Sequence, residues 1–527
     1  MWEKNDRTDE GVVMREKRGF VKSYWSGFFR AMIVAALVLA QFVAIFALAF
    51  WLSGYTVYIY LLMEMASILI MLGLVNDNRS PSYKLSWICV VLALPLTGHI
   101  MYILWGRAGK RKIEKQVMYK MHHGQTFYEY DKAVMERFEQ LHPKEIRLAH
   151  SMEQHHFPLF SNNEVDYYPM GENAFDAILK EMEKAERFIF INFYIVGEGV
   201  LWAQMFKVLK ERVRAGVEVK FLYDDFGCMF RTDKDFKKTL EKAGIEVRVF
   251  NPVHRYTEQL YMNYRNHQKI VVVDGNIAFT GGMNIADEYV NEVERFGVWK
   301  DNAVRVKGDA VWGFTVSFLQ MWEASTTGPL LDYDKYRPDA ASAASDVFCQ
   351  VITDGPANNP ENPIVSAYKQ IMYYANKYLY ITTPYLIIDD EIKEALKQAV
   401  KGGVDVRLIT PNIPDKKNVK LVTSYNYGEL LRAGVRIFEY TPGFIHAKTI
   451  LTEDCGIIGT INMDYRSFYL HYECGALIYD KDVLEPVRAD LLATMEISHE
   501  ITYEEWKKRP LWIKIKQNFL NLFATLM

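Results

Sequence analysis

A short pattern written twice constrains the fold of this 527-residue chain more than anything else in it. The first copy reads His267-Gln268-Lys269, then Asp274, then Gly281-Gly282-Met283-Asn284. The second reads His446-Ala447-Lys448, then Glu453 or Asp454, then Gly459-Thr460-Ile461-Asn462. In each copy an apolar run follows the lysine, a turn signal follows the run (Asp274-Gly275; residues 453–456), and a second apolar run returns, which predicts a hairpin. On a strand, His267 and Lys269 stand at i and i+2 and point to one face, as do His446 and Lys448.

The duplication extends beyond the motifs. Residues 188–194 match 378–385 in character, 215–220 match 402–407, and 242–248 match 432–436. Each half therefore predicts strand, helix, strand, helix, strand and then the motif hairpin, an α/β sheet in each half. The repeat is far too long for a solenoid. Two homologous α/β/α halves carrying one half-site each predict a single active site at their pseudo-twofold interface.

Those residue types suit phosphoryl transfer. A neutral imidazole can attack a phosphodiester while an ammonium two positions away neutralises a phosphate oxygen. The second histidine then handles the proton of the leaving or entering alcohol. A single His-x-Lys on a strand is usually an ordinary surface pair; two copies with matching downstream Gly and Asn are not expected by coincidence. The symmetry leaves open which histidine is the nucleophile. Asp224-Asp225, at the end of an expected strand, fits pocket shaping or a turn better than a metal pair.

The paired His-x-Lys-x4-Asp motifs resemble those of the phospholipase D superfamily, and the flanking text is similar to the bacterial cardiolipin synthases. That text is Trp299-Lys300-Asp301 with Arg305 and Gly308, Asp354-Gly355-Pro356 opening the second half, and Asn462-x-Asp464-x-Arg466-Ser467 with Glu473. The resemblance covers roughly residues 60 to 527. It implies a phosphotransferase that condenses two phosphatidylglycerol molecules into cardiolipin and glycerol through a phosphohistidine, without a metal or cofactor. His267, Lys269, Asp274, His446, Lys448 and Glu453 are the implied catalytic residues, and Gly282, Asn284, Asn462 and Ser467 the implied substrate contacts. Three departures stand out: Glu453 holds the carboxylate position beside Asp454, His471 stands where the family has Asn, and the ending Phe523-Ala524-Thr525-Leu526-Met527 is not the usual one. A membrane phospholipase D or transphosphatidylase using water or another alcohol is the alternative. A silent scaffold is disfavoured by retention of both His-Lys pairs.

Composition narrows the setting. A net charge of −3 offers no global attraction for nucleic acid. The five cysteines lack Cys-x-x-Cys spacing, which argues against structural zinc and a disulfide framework. The doublets His122-His123 and His155-His156 read as solvated pairs.

Residues 31–105 read as membrane, with segments 31–52, 55–75 (Glu64 inside) and 85–104 (interrupted by Pro95 and Gly98), after a basic cytoplasmic N-terminus 1–30. Lysines and arginines flank both ends of this region, so both flanks ask to be cytoplasmic, which three full crossings do not allow. The expectation is a multi-pass protein of the bacterial plasma membrane whose catalytic domain faces the cytoplasm. A connector 106–165, a first half 166–322, a surface linker 323–346, a second half 347–500 and an amphipathic tail 501–527 complete the expected organisation. The basic run from Arg107 to Lys115 and the tail's Lys507, Lys508, Arg509, Lys514 and Lys516 suit anionic lipid. Phosphatidylglycerol and the membrane are the expected partners; oligomeric state, a homo-oligomer included, is left open.

Overall fold

The computed structural model describes residues 36, 39–41, 43, 55–77, 79–106, 112–252, 263–326, 328–338, 342–356 and 361–526. The basic N-terminus 1–30, most of the expected segment 31–52 and the basic flank 107–111 lie outside these residues. Chain contacts define two units: residues 1–109 with 229–231 and 526, and the remainder.

In the first unit, Thr56–Val75 is a continuous helix, and its residues Val57–Val75 are long and apolar enough to cross a membrane. It exposes Leu61, Leu62, Met65, Leu69 and Leu72. The expected segment 85–104 is not one continuous helix. Leu94, just before Pro95, leaves the helical region at φ −131° and ψ 71°, because proline's ring disfavours helical geometry in the residue before it. Two short helices, Pro81–Ala93 and Pro95–Met101, and a π-helical turn, Tyr102–Gly106, result. Neither helix reaches the ~20 residues a crossing needs.

The second unit holds two sheets with the same strand order. In the first the order is Asn163–Tyr168, Ala303–Gly308, Ile277–Gly281, Ile270–Val273, Phe188–Phe193, Glu218–Asp224, Glu246–Phe250. In the second it is Cys349–Asp354, His471–Ile478, Gly456–Gly459, Thr449–Thr452, Tyr378–Thr382, Asp405–Pro411, Arg436–Tyr440, with Ser498–Ile501 added at the edge. Val200–Arg214 and Asp390–Lys401 are the first crossover helices between parallel strands, as the α/β pattern demands. The helix Val311–Ala324 is buried along nearly its whole length and touches both sheets. Its Phe318 stacks on Phe190 of the first, and its Gly313 lies against Val351 of the second.

Two stretches pack otherwise than their sequence suggests. The connector helices Lys132–Leu141 and Ile146–Gln154 pack on the core of the second half: Phe138, Leu148 and Met152 join Phe348, Ile352 and Ile364 in one buried cluster. The linker is not confined to the surface. Tyr333 and Tyr336 are buried, their hydroxyls donating to Glu323 (3.0 Å) and Glu218 (2.7 Å), because burying two phenol rings outweighs the polarity around them.

Candidate active site

Short strands that cross between the halves bring the two motifs together. Arg265–Asn266 runs parallel to His471–Tyr472 of the second half, and Gly443–Ile445 runs parallel to Val298–Lys300 of the first. The backbone N–H of His267 then donates to Tyr472 (2.8 Å), and that of His446 to Lys300 (2.7 Å). The residue after each acceptor is a carboxylate. Nδ1 of His267 lies 2.9 and 3.0 Å from the two oxygens of Glu473, and Nδ1 of His446 lies 2.7 Å from Asp301. Each histidine is thus oriented by a carboxylate from the opposite half, which leaves Nε2 as the free nitrogen.

The surroundings set the charge. Burial, then the neighbouring lysine ammoniums, hold His267 well below the usual imidazole range; burial and Lys448 bring His446 down to about 4 against the pull of Asp301. Both rings are neutral at neutral pH. Burial also lowers Lys269 to about 8 and Lys448 to about 7. Each ammonium donates to the carbonyl of its own motif histidine, Lys269 at 2.7 Å. For Asp301 burial acts upward, but His446 and Lys448 hold its pKa below the usual carboxylate range.

The motif carboxylates are not in this cluster. Asp274 (φ 55°) and Gly275 (φ 73°) form the tight hairpin turn, and the Asp274 carboxylate accepts the backbone N–H groups of Glu186, Arg187 and Phe188 at 2.8 to 2.9 Å. Glu453 does the same for Asn376, Lys377 and Tyr378 at 3.0 to 3.5 Å, while Asp454 pairs with Lys144 and Lys481. Glu453 therefore holds the position equivalent to Asp274, and both carboxylates anchor the start of a central strand.

Among the expected substrate contacts, Asn284 spends its amide on Ile195 N–H (3.0 Å) and the Tyr289 hydroxyl (2.8 Å). The amide oxygen of Asn462 and the hydroxyl of Ser467 are buried without a hydrogen bond. Gly282 makes room: a Cβ there would meet the Asp301 carboxylate and the carbonyl of His446. Asp301 and Glu473, quoted above only as flanking text, are the site residues whose role the sequence did not reveal; the available signal was their common place on the strand after each motif. Thr460, the counterpart of Gly282, donates to Glu473. His122 of the first histidine doublet and both members of the second line one cavity of about 300 Å³, with Glu361, while Nδ1 of His123 lies 3.3 Å from Glu323. Among the described residues, however, the one group of three or more whose ligand atoms come within 4.8 Å of one another is His267, His471 and Glu473.

Two neutral, carboxylate-oriented imidazoles flanked by two buried amines suit attack on an anionic phosphodiester. Comparison with known proteins agrees. A family model described as cardiolipin synthase, PLD-like domain, matches residues 178–322 and 368–494, and one described as phospholipase D-nuclease N-terminal matches 65–107. A cardiolipin synthase of Geobacillus kaustophilus is 34% identical over 482 residues, spanning 88% of this chain and 93% of the relative. Cardiolipin synthase 2 of Staphylococcus epidermidis is 33% identical over 465 residues, spanning 86% and 94%. A phosphatidylserine synthase of Haemophilus influenzae shares the fold, with a TM-score of 0.56 over 72% of this chain and 97% of that one at 15% identity.

Proposed function

The chain belongs to the phospholipase D-like cardiolipin synthases, and we propose that it joins two phosphatidylglycerol molecules through a phosphohistidine. Nε2 of His267 attacks the phosphorus of the first lipid and the bond to glycerol breaks. Nε2 of His446, protonated as the anionic phosphodiester binds, gives that proton to the departing alkoxide. The terminal hydroxyl of the second phosphatidylglycerol then returns a proton to His446 and attacks phosphorus, and the P–N bond breaks to release cardiolipin. Lys269 and Lys448 hold the phosphoryl oxygens as charge develops. Asn462 and Ser467, with buried unpartnered polar atoms, complete the contact.

The observation that carries this reading is the crossed pairing, Glu473 on His267 and Asp301 on His446, which makes one site out of two half-sites. We place the enzyme in the bacterial plasma membrane with its catalytic unit facing the cytoplasm. The apolar helix Val57–Val75 supports the membrane placement, and so does the last helix, Leu511–Leu522. Gln517 of that helix is buried and donates to Ser424 (2.6 Å), while Leu511, Trp512, Ile515 and Phe519 stand 60 to 73% exposed as one stripe beside Lys514 and Lys516, a pattern that suits an anionic bilayer surface.

The test is product analysis with purified protein in micelles containing labelled phosphatidylglycerol and a chelator. Cardiolipin plus free glycerol, absent in His267→Ala and in His446→Ala, is expected. Phosphatidic acid instead would make water the acceptor, and no product would point to another phosphatidyl donor.

A further inference from the structure

His471 is buried, 8% exposed, yet neither of its ring nitrogens has a hydrogen bond. An imidazole closed off in this way is held neutral, so it presents a lone pair with nothing to receive it. Its ring lies 5.5 Å from that of His267, and its Nδ1 is 3.8 Å from the Glu473 oxygen that sits 2.9 Å from Nδ1 of His267. All three ligand atoms fall within 4.8 Å of one another.

We propose that His267, His471 and Glu473 form a binding site for a divalent transition metal of the zinc class, and that filling it stops phosphatidyl transfer. The donors decide the metal: two imidazoles and one carboxylate match zinc or cobalt, whereas magnesium and calcium want oxygen ligands. The spacing is right for a four-coordinate ion, whose ligand atoms lie roughly 3.3 Å apart when its bonds are about 2.0–2.1 Å. Small shifts of the 2.9 and 3.8 Å separations reach that value. Thr460 donates to Glu473 from behind, the kind of outer contact that fixes a metal-binding carboxylate. Binding would replace the proton that His267 Nδ1 shares with Glu473, releasing it to solvent. His267 would then lose the carboxylate that orients it, and a cation on its ring would draw electron density away from Nε2. The opposite half-site carries no such set: Trp299 takes the place of His471 on the equivalent strand, its ring 5.5 Å from His446. Lys269 and Lys448 oppose a dication, which points to micromolar rather than structural-site affinity. The inhibitory half of this proposal rests on His267 being catalytic; the binding half does not.

The test uses full-length protein in detergent, stripped with chelator and dialysed, in wild-type, His471→Asn and His471→Gln forms, each checked for a native thermal transition. Cobalt(II) is followed by its visible absorption, zinc by calorimetry, and cardiolipin formation by initial rates. The expected result is one ion per wild-type chain, with absorption of a tetrahedral cobalt site. Affinity should fall by roughly 10- to 100-fold or more in whichever His471 variant folds. Zinc should abolish wild-type synthesis reversibly, while the variant's own synthesis resists the same concentration. Absence of an ion in the wild type, or equal affinity in wild type and variant, would overturn the site. Binding without loss of synthesis would overturn the inhibitory role. A protein that binds cobalt but forms no cardiolipin even when metal-free would instead count against the proposed function and leave the site standing.

Discussion

At His446 the orienting carboxylate is Asp301, whose other oxygen accepts the backbone N–H of Asn302 at 3.0 Å. At His267 it is Glu473, bidentate, with Thr460 behind it. The strands approach the motif tails equally in both halves, Gly282 N–H to Asn302 at 3.0 Å and Thr460 N–H to Cys474 at 2.9 Å, but a Cβ at Gly282 would meet the Asp301 carboxylate. In the other half Thr460 stands at that position, and its hydroxyl donates to the Glu473 carboxylate. The difference teaches that the duplication conserved a relation, imidazole to carboxylate across the interface, rather than particular residues. It also left the two histidines unlike in their neighbours: Trp299, Phe444 and Tyr289 surround His446, and Tyr194 and His471 surround His267.

The strongest way to break this comparison is to remove one histidine at a time. His267→Ala and His446→Ala should each lower cardiolipin formation by at least about 10³-fold, because nucleophile and proton carrier act as a unit. If one variant keeps near-normal rates, the site is not shared. Changing the orienting carboxylates comes next. Glu473→Gln and Asp301→Asn should lower kcat by roughly 10²- to 10⁴-fold with little change in KM, by analogy with loss of a tautomer-fixing carboxylate elsewhere. Steady-state kinetics on both variants would show whether the half-sites are equally dependent.

The comparison is sharpened by exchanging the space-filling residues. Gly282→Thr should lose both thermal stability and activity through collision with Asp301 and the His446 backbone. Thr460→Gly should fold normally and lower kcat by roughly 10-fold, the loss of one hydrogen bond to a charged group. Asp274→Ala should cost ~2–4 kcal/mol of stability by stranding three backbone donors, with the folded fraction keeping its turnover. Denaturant unfolding beside activity per folded molecule checks it. The smallest effect is on pH. The buried amines carry their charge below about 7 and about 8 and lose it above, so kcat/KM should decline as pH rises through that window. The acid limb lies far lower, where the His267 nucleophile itself protonates, because burial and the neighbouring lysines hold it well below the usual imidazole range.

Much of this was legible beforehand because it is local. Hairpins, crossover helices and His-Lys pairs follow from periodicity and turn residues within a dozen positions, and a family resemblance named the chemistry. What escaped was long-range. Asp301 and Glu473 meet histidines of the other half only through two short strands, Arg265–Asn266 and Gly443–Ile445, too brief to leave a pattern. Asp274 and Glu453 sit inside the motif by sequence, yet their oxygens are taken up by backbone donors. The connector helices pack on the second half, which neighbouring residues could not reveal. Glu453 rather than Asp454 was decided by which carboxylate reaches the strand start.

One experiment bears most directly on the crossed site: rapid quench of enzyme with phosphatidylglycerol labelled in its phosphate, followed by mapping of the labelled peptide. Label on His267, absent from His267→Ala and formed far more slowly in His446→Ala, which lacks the proton donor for the departing glycerol, is the expected result. Label on His446 in the wild type, or cardiolipin formed at full rate with no labelled histidine, would contradict it.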